Sequence, residues 1–416
     1  MKILHIALTD SGGAGIGMMN QHRALLSMGI KSRILVAKKR SNDSAVVEMC
    51  PNQYIWSHNR YVRFIQRVAC RLGICFNPYD RYHYLIYKVR RRHKVEFDNP
   101  CSQYDVAIHP LVEWADVINL HYISGFVDVP SFFSKICKPV VWTMRDENAG
   151  LGGFHYVEAR QEYYCFYAPL EDCFFDIKRR AINSCSSLFI VSLSRGMQQF
   201  CKKTDFLAAL PNIIIPNAID SACFHPYGRS EARRMLNLAS DDILVGFVCC
   251  ALGEKRKGLM LALDAIQILN EDEKRQFVGK RIRLLCVGKD DICIDSLDII
   301  KLGTVVDKDR LSMAYSAADI FLNASSQESF GKTIIEALYC GIPVVSTPVG
   351  IAPEIIGRHN GCLCSERTPC SIASAIMSVL TTTYNKIAIR NAAIRRFAPK
   401  KVATQYVTLY KSILGE

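Results

Sequence analysis

The residues best suited to chemistry gather in one stretch, Ser325-Ser-Gln-Glu328-Ser-Phe330-Gly331-Lys332-Thr-Ile-Ile-Glu336-Ala-Leu-Tyr-Cys-Gly341-Ile-Pro-Val-Val-Ser346, directly after the strand-like Asp319-Ile-Phe-Leu-Asn323. A helix that begins near Phe330 and is ended by Gly341 would aim the unpaired N–H groups of its first turn at the strand end, which suits a phosphate. Glu328 then lies on the loop before the helix, and Glu336 lies about a turn and a half into it. The two carboxylates flank the phosphate position, one able to accept hydrogen bonds from a ribose diol and the other from a sugar. By themselves, two such acids fit surface charge or helix capping equally well.

A second, basic element supports the anion reading. Gly253-Glu-Lys255-Arg256-Lys257-Gly258-Leu259 follows a strand ending at Cys250 and opens a helix through Leu261, Leu263 and Ile266. Lys as a point charge and Arg as a fork could grip a diphosphate. In isolation, three basic residues in a turn also fit a solvated surface.

Nearer the start, Asp10-Ser-Gly12-Gly13-Ala-Gly15-Ile-Gly17 lies between a strand and a helix containing Met19, Leu25 and Leu26. Glycines there let the backbone approach a ligand. The dinucleotide fingerprint Gly-x-Gly-x-x-Gly fails, because starting at Gly13 or Gly15 its last position is Met18 or Asn20, so NAD is disfavoured.

Two further strand ends, Asp116 to His121 and Pro139 to Asp146, fall where α/β sheets hold ligands. Arg145 there could bind an anion. His121 and His155 fit either a ligand contact or a buried, hydrogen-bonded histidine. Asp307-Lys-Asp309 reads as the capped start of a helix, not as a metal site. Nucleophile elbows, Walker loops and metal-spaced histidines are absent from the sequence, and no catalytic metal is expected.

These residues need a scaffold, and 416 residues supply roughly two to three domains' worth of chain. With 50% hydrophobic and 22% charged residues, the chain can bury a core and is neither disordered nor collagen-like. Strand-like runs at Ile3 to Leu8, Arg33 to Ala37, Asp116 to Leu120, Pro139 to Thr143 and Ser187 to Ser192 alternate with helical patterns. The rhythm restarts after Pro216-Asn217-Ala218-Ile219-Asp220 with Ile243 to Cys250, Ile282 to Val287, Asp319 to Leu322 and Pro343 to Ser346. Parallel sheets with crossover helices follow, in two α/β domains. We place the first at 1–216 and the second at 217–390, with Asn212 to Pro216 as the last strand of the first and Asp220 to Pro226 as the link. Residues 391–416 form terminal helices interrupted at Pro399.

Lys and Arg total 52 against 39 Asp and Glu, a net charge of +13, which attracts phosphates, nucleic acid or anionic lipid without choosing among them. No aromatic-basic recognition motif accompanies the charge, so nucleic acid is not expected. Residues 51–100 break the α/β rhythm with Arg60, Arg63, Arg67, Arg71, Arg81, Lys88, Arg90, Arg91, Arg92 and Lys94 interleaved with Tyr and Phe. This insertion reads as a patch for anionic membrane or an anionic acceptor, or as a solvated helical face. The 18 Cys lack zinc spacing and read as reduced thiols of a cytosolic chain. Met1 to Leu8 is too short for a signal-peptide core, and no run is long enough to span a membrane.

Glu328 to Glu336, with Phe330-Gly331, Glu336-Ala337 and Gly341-Ile-Pro343, resembles the signature of family-4, retaining nucleotide-sugar glycosyltransferases of GT-B fold. Leu311, Tyr315, Ala318-Asp319 and the linker Pro216-Asn217…Phe224-His-Pro226 strengthen the resemblance, and the strand ends at His121 and Arg145 resemble the subgroup that builds bacterial surface polysaccharides. It implies two facing Rossmann-like domains with a cleft between them and C-terminal helices crossing back.

It also implies transfer of a sugar from an NDP-sugar to a glycan or lipid-linked acceptor with retention, in capsule, exopolysaccharide or O-antigen synthesis. The site would be cytoplasmic, at the inner face of the membrane where contact is made. Glu328 and Lys257 would be catalytic. Arg256, Glu336, Phe330, Gly331, Lys332 and Gly13 would hold the donor, and His121 and Arg145 would face the acceptor. No cofactor is implied beyond the donor itself. The chain departs from the family at Ala218, where Gly is usual, at Ala251, where another Arg is common, and at Arg145, where the subgroup has His. An epimerase or phosphorylase on the same fold, or a silent glycan-binding protein, is the alternative.

Overall fold

The computed structural model describes the chain apart from residues 51–60, 62–63, 66–67, 70–71, 73–77, 94, 240, 273–279, 291, 295 and 297. It divides into two units, Met1–Ile215 with Ala403–Glu416, and Pro216–Val402.

The first unit is built on seven parallel strands: β1 (Lys2–Thr9), β2 (Lys31–Lys38), β3 (Val46–Glu48), β4 (Val117–Leu120), β5 (Val140–Met144), β6 (Leu188–Ser192) and β7 (Asn212–Ile214). Their order is β3-β2-β1-β4-β5-β6-β7, with β1 flanked by β2 and β4 in the middle region of the sheet. β4 and β5 are buried along their whole length, which is why, Asn119 and Thr143 apart, they read as apolar runs and not as alternating patterns. Leu4, Ile6, Leu35, Ile118, Leu120, Val140, Trp142 and Ile190 belong to its largest core cluster.

The second unit repeats the plan with six parallel strands: β8 (Ile243–Ala251), β9 (Ile282–Lys289), β10 (Ile299–Lys301), β11 (Ile320–Asn323), β12 (Val344–Ser346) and β13 (Gly361–Leu363). The order is β10-β9-β8-β11-β12-β13. The helix Leu259–Glu271 lays Leu259, Ala262, Leu263 and Ile266 on a core shared with Val245, Phe247, Leu284 and Leu322. Both sheets have the doubly wound form in which crossover helices cover two faces.

The long strands fall where the apolar runs place them, to within a residue or two. β3, β10 and β13, three residues each and at sheet edges, escape the sequence reading, which finds the equally short β7 and β12. At the end of the chain, helices Lys386–Phe397 and Pro399–Leu414 are separated at Ala398, the residue that the following proline keeps out of helical geometry. Arg390 fastens the first of them to the linker, donating from Nη1 to the Phe224 carbonyl at 2.7 Å and from Nη2 to that of Ser221 at 3.2 Å.

In the basic insertion, a helix covers Pro78–His93 and carries Arg90, Arg91 and Arg92, all exposed, in its last turn, where positive charge suits the helix dipole. Arg90 is tied down, its Nε donating to the Phe97 carbonyl at 2.9 Å and its guanidinium paired with Asp98. Arg60, Arg63, Arg67, Arg71 and Lys94, and the side chains of Arg81 and Lys88, lie outside the described residues. Among the described residues no helix is long and apolar enough to cross a membrane.

Candidate functional site

In the second unit, β8 runs into a 3₁₀ turn, Lys255–Lys257, that ends at Gly258 with φ 76°. A Cβ on Gly258 would stand 2.4 Å from the Ala324 carbonyl oxygen, so only glycine lets the basic turn press on the loop that follows β11. That contact is reinforced by the Ser326 amide donating to the Arg256 carbonyl at 2.9 Å and by Arg256 Nη1 donating to the Gln327 carbonyl at 2.6 Å.

The turn and the loop thereby bring Lys257 Nζ to 2.5 Å from Glu328 Oε1, which also accepts from Ser325 Oγ at 2.9 Å. Arg256 Nη1 stands 3.7 Å from Glu328 Oε2. Burial pushes the Glu328 carboxyl up, but Lys257 and then Arg256 pull it down further, and it ends below its ordinary value. Glu328 is therefore an anion held against two cations. A small cavity beside this cluster is lined by Phe247, Lys257, Asn323, Ser325, Glu328 and Thr333.

The helix after this loop spans Lys332–Tyr339 and so starts two residues later than the sequence pattern places it. Gly331, at φ 90°, is its N-cap and supplies no side-chain cap; the Ile334 amide in the first turn donates to the Gly331 carbonyl at 3.2 Å. Gly341, at φ 73°, ends the helix as anticipated, with its amide bonded to the Leu338 carbonyl at 3.0 Å. Glu336 is buried at 6% exposure and accepts the Tyr315 hydroxyl at Oε2, 2.8 Å away, while Lys332 Nζ stands 4.0 Å from Oε1. Burial, and then Glu336 itself, hold the Tyr315 phenol well above its ordinary value, so Tyr315 remains the donor.

Phe330, named for the donor side, turns its ring away from the cavity lining. Its ring is buried edge-on against Phe397 at 5.9 Å, and its carbonyl accepts the Ile351 amide, so it supports the loop from below and does not present its side chain to a donor. Asn323, Ser325 and Thr333, which the sequence reading does not single out, line the cavity instead. They stand inside or beside the same motif, and their polarity at a strand end was the available signal.

In the first unit the glycine-rich segment is not a loop. The helix Gly12–Ser27 begins within it. A Cβ on Gly15 would meet the Asp10 carbonyl carbon at 2.5 Å, whereas Gly13 has nothing within 4 Å of that position. Gly15 thus lets the helix lie on the end of β1, and Gly13 leaves open space.

His121 and Arg145, expected on the acceptor side, do come together: Arg145 Nε and Nη2 lie 3.2 and 3.1 Å from His121 Nδ1. His121 is only 2% exposed, and its Nε2 lies 2.9 Å from His5 Nδ1, so it acts on Arg145 and does not itself face a ligand. Burial, then Arg145 and His5, hold His121 well below its ordinary value, which makes it neutral. His155 sits between two carboxylates, its Nδ1 2.7 Å from Asp146 Oδ2 and its Nε2 2.7 Å from Asp98 Oδ2.

The loop between Asp146 and His155 is held by two charged residues that the sequence reading missed, both on the helix Val157–Asn183. Glu171 accepts the amides of Gly152 and Gly153 at 2.8 and 2.6 Å. Lys178 donates to the carbonyls of Asn148 and Leu151 at 2.6 and 3.1 Å, and burial pulls its ammonium down to about 7. Among the described residues, no three His, Cys, Asp or Glu side chains group in a way that could hold a metal ion.

Comparison with known proteins fits this geometry. Residues 243–382 match the family described as Glycosyl transferases group 1, so that the second unit carries such a domain. The chain is 27% identical over 208 residues to a D-inositol 3-phosphate glycosyltransferase of Kineococcus radiotolerans, a match covering 44% of this chain and 47% of that protein. It is 26% identical over 220 residues to the O-antigen biosynthesis glycosyltransferase WclY of Escherichia coli, covering 51% of this chain and 58% of that one. The chain thus spans about half the length of the curated relatives it matches. Among solved structures, Anabaena Alr3699/HepE in complex with UDP and glucose superposes with a TM-score of 0.63 at 16% identity, covering 99% of this chain and 100% of that one. The fold is GT-B.

Proposed function

We propose that this chain, which carries a glycosyl transferases group 1 domain on a GT-B fold, moves a sugar from a nucleoside-diphosphate sugar to a glycan or lipid-linked glycan acceptor with retention of anomeric configuration. Its place would be the synthesis of capsule, exopolysaccharide or O-antigen. The observation that carries this reading is the Lys257–Glu328 pair, 2.5 Å apart, on the cavity ahead of the helix Lys332–Tyr339.

Lys257 and Arg256 direct their positive charge at Glu328. An arriving diphosphate offers Lys257 and Arg256 a second anion, and the start of the helix Lys332–Tyr339 offers it the positive end of the helix dipole. Glu328, already anionic, then accepts hydroxyls of the sugar, and Glu336 accepts those of the ribose. The bond between the anomeric carbon and the diphosphate oxygen breaks with its electron pair on the diphosphate, where Lys257, Arg256 and the helix dipole stabilise the growing charge. The acceptor oxygen attacks the anomeric carbon from the face that the diphosphate leaves, and its proton passes to a phosphate oxygen. Neither a protein base nor a metal is required, since the cations are side chains. Arg145 serves the acceptor on the first unit. The exposed Arg90 to Arg92 support contact of the 51–100 segment with anionic membrane.

Anabaena Alr3699/HepE, solved with UDP and glucose on the same fold, supports a uridine donor as the first to test. Thermal shift against UDP-, GDP- and dTDP-sugars decides the base, because a ligand at 100 times its dissociation constant stabilises by about 2.7 kcal/mol. Radiolabelled transfer to membrane glycolipid extract follows. No shift with any of them removes the donor site. A shift with conversion of the sugar but no acceptor, or with dependence on free phosphate, points to an epimerase or a phosphorylase, and binding without any turnover points to a silent glycan binder.

A further inference from the structure

At the heart of the first sheet, four side chains from four separate segments form a buried line: His22, His5, His121 and Arg145. His5 stands on β1 and His121 just beyond β4, with their rings stacked at 5.1 Å. The order of protons along the line follows from one fact. A guanidinium has only donors. His121 Nδ1, facing Arg145 Nε and Nη2 at 3.2 and 3.1 Å, must therefore present a lone pair. A neutral His121 then carries its proton on Nε2 and donates it over 2.9 Å to His5 Nδ1, which in turn leaves the proton of His5 on Nε2. Arg145 thus dictates the tautomer of two histidines in sequence.

The groups that face this pair are Arg145, and His22 with its edge toward His5 at 6.1 Å. Tyr406 and Tyr410 of the last helix adjoin Arg145. Tyr410 accepts from Gln21 Nε2 and Asn119 Nδ2 at 3.0 and 2.6 Å. His22 Nδ1 is paired with Ser32 Oγ at 2.7 Å and is influenced by Asp43 and Arg23.

We propose that His121 and His5 are positioning residues for Arg145, a neutral imidazole pair that turns a lone pair toward the guanidinium and so sets it for an anionic group, a phosphate or carboxylate, on the acceptor. The proposal rests on the acceptor role given to Arg145 above. A proton added to His121 would replace the lone pair with an N–H aimed at the guanidinium, putting two cations head to head. Protonation of His121 therefore releases Arg145.

The test is ¹⁵N NMR of the histidine-labelled full-length chain, with inorganic phosphate as the anion probe, read at the His121 ring so that phosphate on Lys257 does not register. The expected result is Nε2–H, unprotonated Nδ1 for both His121 and His5 at pH 7, and a phosphate-dependent shift of the His121 signal that disappears in Arg145→Gln. His5→Ala should weaken that phosphate response about tenfold, the worth of one lost hydrogen bond to a charged arrangement. His5→Asn, whose Oδ1 accepts where Nδ1 did, should restore it to within about threefold. An Nδ1–H tautomer at His121, a phosphate titration that leaves His121 unmoved, or a folded His5→Asn as weak as His5→Ala overturns the proposal. Should His5→Ala fail to fold, the wild-type tautomers and the Arg145→Gln titration still decide. Failure of the donor reading announces itself differently, as absence of any nucleotide-sugar thermal shift, and leaves these spectra unchanged.

Discussion

The two units meet the same problem, a cation held near the end of a parallel sheet, in opposite ways. In the second, Lys257 and Arg256 are answered by a carboxylate, Glu328, which they keep ionised. In the first, Arg145 is answered by a neutral ring, His121, and adjoins two tyrosines. An ionic answer can be exchanged for another anion at modest cost, because the cation passes from one negative partner to the next. A neutral answer fixes direction without cancelling charge. The first arrangement suits a leaving group whose charge grows during reaction, and the second suits a group that must be oriented.

The largest expected effect breaks the ionic side. Lys257→Ala or Glu328→Gln should lower kcat by about 10²–10³-fold, the usual cost of losing one preorganised charge contact at a developing anion. Circular dichroism should show an intact fold. Lys257→Ala carries a second signature: without the lysine, burial is opposed by Arg256 and the Ser325 hydroxyl alone, so the Glu328 carboxyl rises. In the wild type its depressed value means that ionised Glu328 adds stability above the unfolded carboxyl range and loses it as pH falls through the folded value. The variant should lose that contribution at higher pH, and its acid activity limb should move upward, as kcat/KM measured against pH would reveal.

Next in size are changes beneath the neutral side. Gly15→Ala drives a methyl into backbone at Asp10, 2.5 Å away, and should destabilise the first unit by about 2–3 kcal/mol in urea unfolding. Lys178→Met strips buried carbonyls of Asn148 and Leu151 of their donor, a loss of about 1–3 kcal/mol. The loss should depend on pH with a definite sign. The folded Lys178 titrates near 7, below the free amine at 10.5, so between those values the unfolded chain holds the extra proton and wild-type stability rises with pH. Below about 7 both states are protonated and the full cost of the buried charge is present, so the wild type exceeds Lys178→Met by less at pH 6 than at pH 9. Equal differences at the two values would show that Lys178 stays charged throughout.

The contrast also explains what could be read from the chain alone. Sheet order apart, the α/β alternation was legible because buried parallel strands are mostly apolar runs, and β4 and β5, buried at every residue, are apolar but for Asn119 and Thr143. The ionic site was legible because Arg256-Lys257 and Glu328 to Glu336 are compact segments whose charges stand close in sequence. The neutral site was legible only in part: the strand ends point to His121 and Arg145, but His5, Gln21, Asn119, Tyr406 and Tyr410 are scattered along the chain, and only the sheet brings His5 beside Asn119. The direction of the Phe330 ring was not legible either, as its place inside the motif says nothing of the side to which the ring turns. Glu171 and Lys178 could have been found as charged residues on the face of a helix that must be buried.

A smaller effect sharpens the reading of the carboxylate pair. Tyr315→Phe removes the hydroxyl from Glu336 Oε2, and should cost about 1–2 kcal/mol in unfolding experiments. Turnover should fall by less than in Glu328→Gln, because Tyr315 touches the acid and not the sugar. If the two variants lose kcat equally, the division of labour between Glu328 and Glu336 is wrong.

The smallest expected effect is the most discriminating. Gly13 stands in the first turn of Gly12–Ser27 with open space where a side chain would be. Alanine there gains helix propensity of up to about 1 kcal/mol and meets no protein atom, so Gly13→Ala should leave the melting temperature unchanged or slightly raised. Nothing in the fold therefore requires glycine at this place, in contrast to Gly15 two residues on. If a ligand's phosphate passes over that turn, the added methyl obstructs it, and KM should rise several-fold at constant kcat while the protein grows no less stable. A Gly13→Ala variant with unaltered KM for donor and acceptor alike would confine the glycine requirement to Gly15 and its packing on β1, and would leave the first unit's contribution to substrate binding with Arg145 and the histidines behind it.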